Sequence, residues 1–590
     1  MSTNTLKSND NSSDGEIISP VLKKIRLKDQ NPEAASGIRN QFNISEMGSR
    51  ILAARGYTAG DDLQHYLEPT LQKGLPNPND LKNLEAAALL IKEAVDADWP
   101  IAICCDFDVD GLSGGSQVYH FLKTISSRVK VFVPDRFKDG YGLNENTIQT
   151  IADAGFKLII TIDFGTTNAK EFELARELGI KTIILDHHHV GDHNPNADVF
   201  VNPQQADCGF AGGILAAAGL AWYLVVMLRK SLPQAKHLDA KTYLDLACLG
   251  TICDMVPLVG ANRIIAKRGL EALTKTERPG LIALKNIIGI TGPVACSNVG
   301  FGIGPRINAA GRMVHGDVVV DLLTTDKTDL ADKLANKLNK LNYKRQKEEE
   351  WVRESASKKV LSGSQIPAGI VVWDDSYHTG VIGIVAQRLV EVFYRPSVVL
   401  GSDKPGMLKG SVRGISGFNV VEALAQCSKY LEQFGGHEGA GGLSIKRDNI
   451  NKFSEAFSEY CAEKLSEIET VPYITADTTA SLAEFTVPII QQIQRFEPFG
   501  IGNPNPTVLL ENLEVLDVKV LKQAHLKVAL SDGTRSISGL MWKCASHPEL
   551  VKGNRINVAC KPDLNTYRGN TDPQAIINAV ESSKIRPREY

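Results

Sequence analysis

No Cys-x-x-Cys pair occurs anywhere in the 590 residues, although ten cysteines are present. That absence argues against a structural zinc site, and free thiols in apolar runs such as Cys104-Cys105 behave as small hydrophobes. A reducing cytoplasm fits such usage. No apolar stretch reaches the length of a membrane span; Ala216 to Leu228 falls short. The N-terminus is rich in Ser, Asn and Asp rather than shaped as a signal or transit peptide, and residues 1–35 read as a disordered tail. Internal repeats are lacking, as is a Walker-type Gly-x-x-x-x-Gly-Lys-Ser/Thr, so ATP-driven translocation is not expected. A net positive charge is also lacking: the formal net charge is −3, and residues 511–590 carry 12 Lys/Arg against 9 Asp/Glu, only a mild basic excess. Affinity for nucleic acid would have to come from local patches or bound cations. What remains is an ordinary globular composition, 43% hydrophobic and 23% charged, long enough for about three or four domains.

The most informative segment is Ile103-Cys104-Cys105-Asp106-Phe107-Asp108-Val109-Asp110-Gly111. The apolar run before it reads as a buried strand, and alternate side chains of an extended chain point to one side. Three carboxylates would therefore converge at the strand's end, where their repulsion favours a bound cation. Asp-x-Asp-x-Asp-Gly also opens an EF-hand calcium loop, but its twelfth position would be Gln117 rather than Glu, and a strand, not a helix, precedes it. A solvated acidic turn without a ligand is the third reading.

Between residues 80 and 330 short apolar strands alternate with helical patterns, the mark of an α/β domain with a largely parallel sheet. Candidate strands are Ile101–Cys105, Val129–Pro134, Leu158–Ile162 and Thr182–Leu185, each ending at a polar or acidic cluster. Ligands in open α/β sheets bind beyond such ends. Asp163 follows the third strand, Asp186-His187-His188-His189 the fourth, and Asp254 lies in Leu249-Gly250-Thr251-Ile252-Cys253-Asp254. Any one alone could be a helix cap or a core polar pair, and His189 and His193 alone would be surface histidines. Together, carboxylates and imidazoles suit two divalent ions, Mn²⁺ or Mg²⁺, with imidazole favouring Mn²⁺. Such a pair of ions would clamp a phosphoryl group and activate water, with a neighbouring His as general acid. A charged helix then connects to a second α/β module, and short strands after Pro498-Phe499-Gly500-Ile501-Gly502-Asn503-Pro504 suggest a small β-barrel.

Asp106-x-Asp108-x-Asp110-Gly111, Asp163, Asp186-His187-His188 and Asp254 match, in order, the four motifs of the DHH phosphoesterase superfamily. Pro134-Asp135-Arg136-Phe137, Gly140-Tyr141-Gly142-Leu143, Val201-Asn202-Pro203, the run Gly304 to Arg312, Gly380 to Ala386, Gly435-Gly436-His437 and Pro498-Phe499-Gly500-x-Gly502-Asn503-Pro504 extend the match. The whole set, from about residue 45 to 580, resembles the superfamily's single-strand-specific DNA exonucleases. The resemblance implies a DHH domain (36–326), a connecting helix (327–360), an α/β DHHA1 domain (361–468) and an OB-fold (469–585). It implies processive 5′→3′ hydrolysis of single-stranded DNA to mononucleotides with Mn²⁺ or Mg²⁺, in repair and recombination. Asp106, Asp108, Asp110, Asp163, His187 and Asp254 would hold the metals, with Asp110, Asp163, His187 and His188 in the catalytic centre. Arg136, Arg306, Asn308 and Arg312 would contact phosphate or DNA, and Ser411, Arg413, Gly436 and His437 a 5′-terminal phosphate. Trp542 and Tyr567 are candidate stacking aromatics of the OB-fold. A single-strand-binding protein and a helicase are implied partners, a monomer is the default, and no membrane is involved.

Two departures stand out. Gly414 follows Arg413 where the family pattern has Ser, and Leu112-Ser113-Gly114-Gly115 brings extra glycines into a helix start, each costing roughly 1 kcal/mol relative to Ala. Two other functions fit fewer of these features. One is a phosphodiesterase of short oligonucleotides or cyclic dinucleotides, whose relatives generally lack the C-terminal module. The other is a non-catalytic replication scaffold, in which metal ligands decay.

Overall fold

The computed structural model of the chain describes residues 22–126, 128–134, 142–191, 195–211 and 213–583. Its first sheet has five parallel strands in the order Val129–Phe132, Ile101–Cys105, Leu158–Ile162, Lys181–Leu185, Val199–Val201. Ile101–Cys105 and Leu158–Ile162 are buried throughout, as expected of strands covered on both faces. They are also where the strand order reverses, so their carboxyl ends open a crevice at the topological switch point. Asp106 and Asp163 are the first residues beyond those two ends.

The acidic loop is no EF-hand. Asp108 caps the helix Val109–Lys123, accepting from the amides of Asp110 (2.9 Å) and Gly111 (3.2 Å). Gln117 is buried inside that helix with Nε2 donating to the Ala218 carbonyl at 3.0 Å. The glycines that looked costly have a packing reason. A Cβ on Gly115 would stand 2.7 Å from Cys105 Sγ, and one on Gly114 2.9 Å from Ile162 Cγ2. The helix lies directly on the two central strands, closer than a methyl group permits.

The helix Thr328–Leu361, 34 residues long, links this domain to a mixed five-stranded sheet ordered Leu431–His437, Ala440–Lys446, Met407–Arg413, Ser397–Lys404, Ile370–Trp373. The last part is a barrel. Val508–Leu521 pairs with both His525–Ser531 and Arg555–Tyr567, which closes the sheet, while Thr478–Ala480 adds a short parallel strand. Trp542 and Tyr567 are both exposed on it.

The N-terminal partition differs from the sequence reading. Within the expected tail, Lys24–Leu27 pairs in parallel with Tyr473–Ala476, and the helix Pro32–Phe42 begins at a capping Asn31. Residues 36–67, expected in the DHH domain, pack instead on the barrel: Ile38, Met47, Ile51 and Leu63 share a core with Phe496, Val508 and Val558. The amphipathic stripes of these helices need an apolar partner, and a segment remote in sequence supplies it.

Candidate metal centre and phosphate-binding corner

The acids converge because the backbone is shaped to bring them together. Gly111 allows the acidic loop to fold back on the helix it starts, since a Cβ there would lie 2.6 Å from the Asp106 amide nitrogen. Asp163 adopts a left-handed backbone, φ 73°, directly after its strand. Asp110 is held at the start of the helix Ala217–Ser231, accepting from the amides of Ala217 (2.6 Å) and Ala218 (2.8 Å). His187 is the hub: its Nε2 lies 3.1 Å from Asp163, 3.6 Å from Asp254 and 3.8 Å from Asp110.

Three overlapping groups of ligand atoms can be drawn among the described residues, Asp110–His187–Asp254, Asp106–Asp108–Asp163 and Asp163–Asp186–His187–His188, the atoms of each within 4.8 Å of one another. Burial, then the Asp108 charge, pushes Asp110 up to about 7. Burial and the neighbouring acids likewise raise Asp163, and Asp254 to about 9. Burial and the nearby His188 lower His187 to about 4, so its imidazole is neutral and able to coordinate a cation. Buried oxygens in surplus plus one neutral imidazole make a donor set that fits Mn²⁺ or Mg²⁺. Gly250 completes the cradle, for a Cβ there would collide with the Asp110 carboxylate.

Asp186 does different work. Its Oδ2 accepts from Thr166 N (3.0 Å) and Oγ1 (2.6 Å), and its Oδ1 from the amides of His187 and His188 and from His188 Nδ1 at 2.7 Å. Burial alone would raise this carboxyl, but the His188 and Thr166 bonds outweigh it and hold it well below the usual range. Burial opposes protonation of His188, yet the bond to Asp186 outweighs it and raises its pKa. Buried Asn202 supports the same loop, donating to Thr166 Oγ1 (3.2 Å) and the His188 carbonyl (2.9 Å). Thr166, Ala217 and Ala218 were not legible in the sequence, because two of them act only through backbone amides.

The remaining expected residues divide. Asn308 Oδ1 accepts from the Val109 amide at 3.2 Å, bracing the acidic loop, and a Cβ on Gly311 would lie 2.6 Å from the Phe107 carbonyl. Arg306 turns to the connecting helix, bonding Asn339 (3.0 Å) and the Gly302 carbonyl (2.8 Å). Arg312 crosses to the second α/β domain, donating to the Gly380 carbonyl at 3.1 Å. Arg136 lies outside the described residues, as do Asp135, Phe137, Gly140, Tyr141 and His193.

Ser411, Arg413, Gly436 and His437 do share one corner. Arg413 and His437 both sit opposite Ala440, from the strands on either side of it. Arg413 Nη1 donates to Ser411 Oγ at 3.0 Å, and a Cβ on Gly383 would lie 3.0 Å from that oxygen and 3.2 Å from Arg413 Nη2. The start of the helix Ile382–Phe393 therefore covers the pair, a setting that favours an anion. At Gly414 a Cβ would be 3.0 Å from Val420 Cγ2 and 3.1 Å from the Phe418 carbonyl, so a serine here fits only if those neighbours give way by a few tenths of an ångström.

A parallel sheet with acids and a neutral histidine at its switch point, joined by a long helix to a second α/β domain, is the arrangement of a DHH phosphoesterase. Family models agree: the DHH family N-terminal domain matches residues 100–251, the DHHA1 domain 365–463 and the RecJ OB domain 476–579. The single-stranded-DNA-specific exonuclease RecJ of Bacillus subtilis (strain 168) is 34% identical over 573 residues, covering 96% of this chain and 72% of the relative. That of Escherichia coli (strain K12) is 32% identical over 553 residues, covering 90% and 95%. The crystal structure of RecJ in complex with Mn²⁺ from Thermus thermophilus superposes with a TM-score of 0.81 at 28% identity, over 95% of this chain and 80% of that one. The chain belongs to the RecJ family.

Proposed function

We propose that this chain is a divalent-metal-dependent exonuclease that degrades single-stranded DNA from its 5′ end to mononucleotides, in repair and recombination. The observation that carries the reading is the pair of adjoining acidic groups, Asp110–His187–Asp254 and Asp106–Asp108–Asp163, at the sheet's switch point. RecJ relatives are named single-stranded-DNA-specific exonucleases, and RecJ of Thermus thermophilus has been solved with Mn²⁺ and with Mg²⁺. Bound there, two divalent cations supply Lewis-acid polarisation of a phosphoryl oxygen and a water of lowered pKa.

The chain's own groups do the rest. Asp106, Asp108, Asp110, Asp163, His187 and Asp254 hold the cations. His188, its Nδ1 fixed on Asp186, carries a proton at Nε2 for the leaving oxygen. Ser411 and Arg413, with Gly436 and His437 beside them, receive the 5′-terminal phosphate, which sets the direction of attack. Arg136 and Arg312 contact the strand or its phosphates, whereas Asn308 acts by bracing the acidic loop and Arg306 by tying its own helix to the connecting helix. The barrel grips the strand further along, where duplex DNA would not stack on single aromatics. A helicase and a single-strand-binding protein deliver substrate, and the enzyme works as a monomer in the cytoplasm. Among the described residues no helix is long and apolar enough to cross a membrane.

The test is digestion of single-stranded and blunt duplex DNA, each labelled at either end, with Mn²⁺, Mg²⁺ or EDTA. Metal-dependent loss of the single strand from its 5′ end is expected. Turnover confined to dinucleotides would move the assignment to a small-substrate phosphodiesterase, and intact DNA with every metal to a scaffold.

A further inference from the structure

The motif Pro498-Phe499-Gly500-Ile501-Gly502-Asn503-Pro504 leads into the barrel, far in sequence from every acid of the candidate metal centre, yet it lies against the loop that carries one of them. Asp254 ends the helix Leu244–Cys253, its amide donating to the Gly250 carbonyl at 2.8 Å. Met255 then turns with a left-handed backbone, φ 63°. Three successive motif residues meet the next stretch. Leu258 N donates to the Ile501 carbonyl at 2.7 Å. A Cβ on Gly500 would stand 2.7 Å from Leu258 Cδ1, and one on Gly502 3.1 Å from Pro257 Cβ and 3.3 Å from Val259 Cγ1.

The turn itself is pinned. Buried Asn503 donates to the carbonyls of Phe496 (3.0 Å) and Pro498 (2.8 Å) and accepts from Tyr66 Oη (3.0 Å) and Arg55 Nη1 (3.1 Å). Arg263, on the helix that follows the Asp254 loop, is buried and donates to the carbonyls of Phe496 (3.0 Å), Glu497 (3.1 Å) and Pro498 (3.4 Å). Its guanidinium also lies over the Tyr66 ring at 3.9 Å. From the other side Asn262 Nδ2 holds the Pro257 carbonyl at 3.1 Å. Asp254 needs more such support than Asp110 or Asp163: its side chain is 22% exposed, against 0% and 4% for theirs.

We propose that the turn Glu497–Pro504 is a brace for Asp254, with Asn503 and Arg263 as positioning residues that hold the Pro257–Val259 loop and, through it, the Asp254 carboxylate in the divalent-cation site. The proposal rests on the acids being metal ligands and assigns the barrel's lead-in a part in assembling them. A mere interdomain adhesive would have no reason to affect one ligand's cation affinity.

The test titrates Mn²⁺ calorimetrically into metal-free, full-length protein, with melting curves alongside, for the native chain, Asn503→Ala, Gly502→Ala and Val528→Ala. The last change loosens the barrel core away from the turn. Asn503→Ala and Gly502→Ala should weaken at least one Mn²⁺-binding event by about tenfold, the scale of lost outer support for a metal ligand. The half-activating Mn²⁺ concentration should rise alike, with KM for DNA unchanged, while Val528→Ala leaves Mn²⁺ affinity intact. Native affinity in both turn variants, or equal weakening in Val528→Ala, overturns the brace. Should Asn503→Ala fail to fold, Gly502→Ala decides. A native chain that binds no Mn²⁺ would overturn the metal assignment itself, a distinguishable failure.

Discussion

Asp110 and Asp186 are both buried carboxylates close to strand ends, yet their surroundings push them in opposite directions. Asp186 is surrounded by donors from Thr166, His187 and His188, whereas Asp110, despite two amide donors, lies beside like charges. The first therefore orients a histidine and the second awaits a cation. Asp163, touching His187 and grouped with Asp106 and Asp108, is the ligand whose loss should matter most. Asp163→Ala should lower nuclease activity on the order of a hundredfold or more while single-strand binding persists, checked by parallel cleavage and binding assays. Normal degradation by that variant would refute the metal assignment. Stability against pH tests the same electrostatics. Asp110, Asp163 and Asp254 are all raised above the ordinary carboxylate value of 3.8. The folded metal-free chain thus keeps protons that the unfolded chain has released. Their contribution is fully present below 3.8 and is lost as pH rises through the folded values, about 7 for Asp110 and about 9 for Asp254. Divalent cations reverse this by favouring the carboxylates. The rise in Tm on replacing EDTA with Mn²⁺ should be larger at pH 8 than at pH 5.5, and a pH-independent rise would contradict it.

At the level of elements, the helix Val109–Lys123 shows what sequence can and cannot disclose. Its acids were legible as a cation-binding motif, but not by an extended chain. The strand ends at Cys105, Asp108 caps the helix and Asp110 lies within it, so Asp110 joins His187 and Asp254 while Asp106 and Asp108 join Asp163. The strand Leu158–Ile162 was legible because an uninterrupted apolar run suits burial on both faces. Gly114 and Gly115 were not, because intrinsic propensity counts only their cost, and the benefit depends on Cys105 and Ile162 across the interface. The role of Gly414 was hidden likewise, since its neighbour Val420 belongs to another element. Gly115→Ala weighs the two effects. Helix propensity favours alanine by roughly 1 kcal/mol. The new methyl, 2.7 Å from Cys105 Sγ and 2.9 Å from its Cβ, must push the helix off the sheet, an overpacking cost of about 1–3 kcal/mol. The net effect should be destabilising, read as a lower Tm, and Cys105→Gly in the same chain should restore part of it. A more stable Gly115→Ala would mean that the helix can shift without cost.

In the whole molecule, the described N-terminal residues 24–67 and the barrel are one structural unit. Sequence reading divided them because amphipathic periodicity announces that a helix has a partner without saying which. The Ser-, Asn- and Asp-rich start masks this unit, and Lys24–Leu27 is too short and too charged to declare itself a strand. Asp477 shows how closely the two parts are joined. It receives Arg55 Nη2 at 2.8 Å, Lys28 Nζ at 2.9 Å and the Thr507 amide at 3.1 Å, so two N-terminal cations meet one acid of the barrel. Arg55 and Asp477 side chains are only 7% and 4% exposed, and removing one partner of such a pair costs about 3–5 kcal/mol because the other stays buried and charged. Asp477→Ala should therefore lower the melting temperature of the barrel more than any surface ion-pair variant. The larger consequence concerns autonomy. Residues 469–585, expressed alone, would expose the faces of Phe496, Val508 and Val558 that Ile38, Met47 and Ile51 cover. That fragment should lack a cooperative thermal transition and aggregate. Adding a second fragment of residues 22–70 should restore both solubility and a sharp transition, because the missing apolar surface and the Arg55 and Lys28 partners return together. A barrel fragment that melts cooperatively by itself, unchanged by the added segment, would show that the N-terminal helices ride on the barrel without helping to form it.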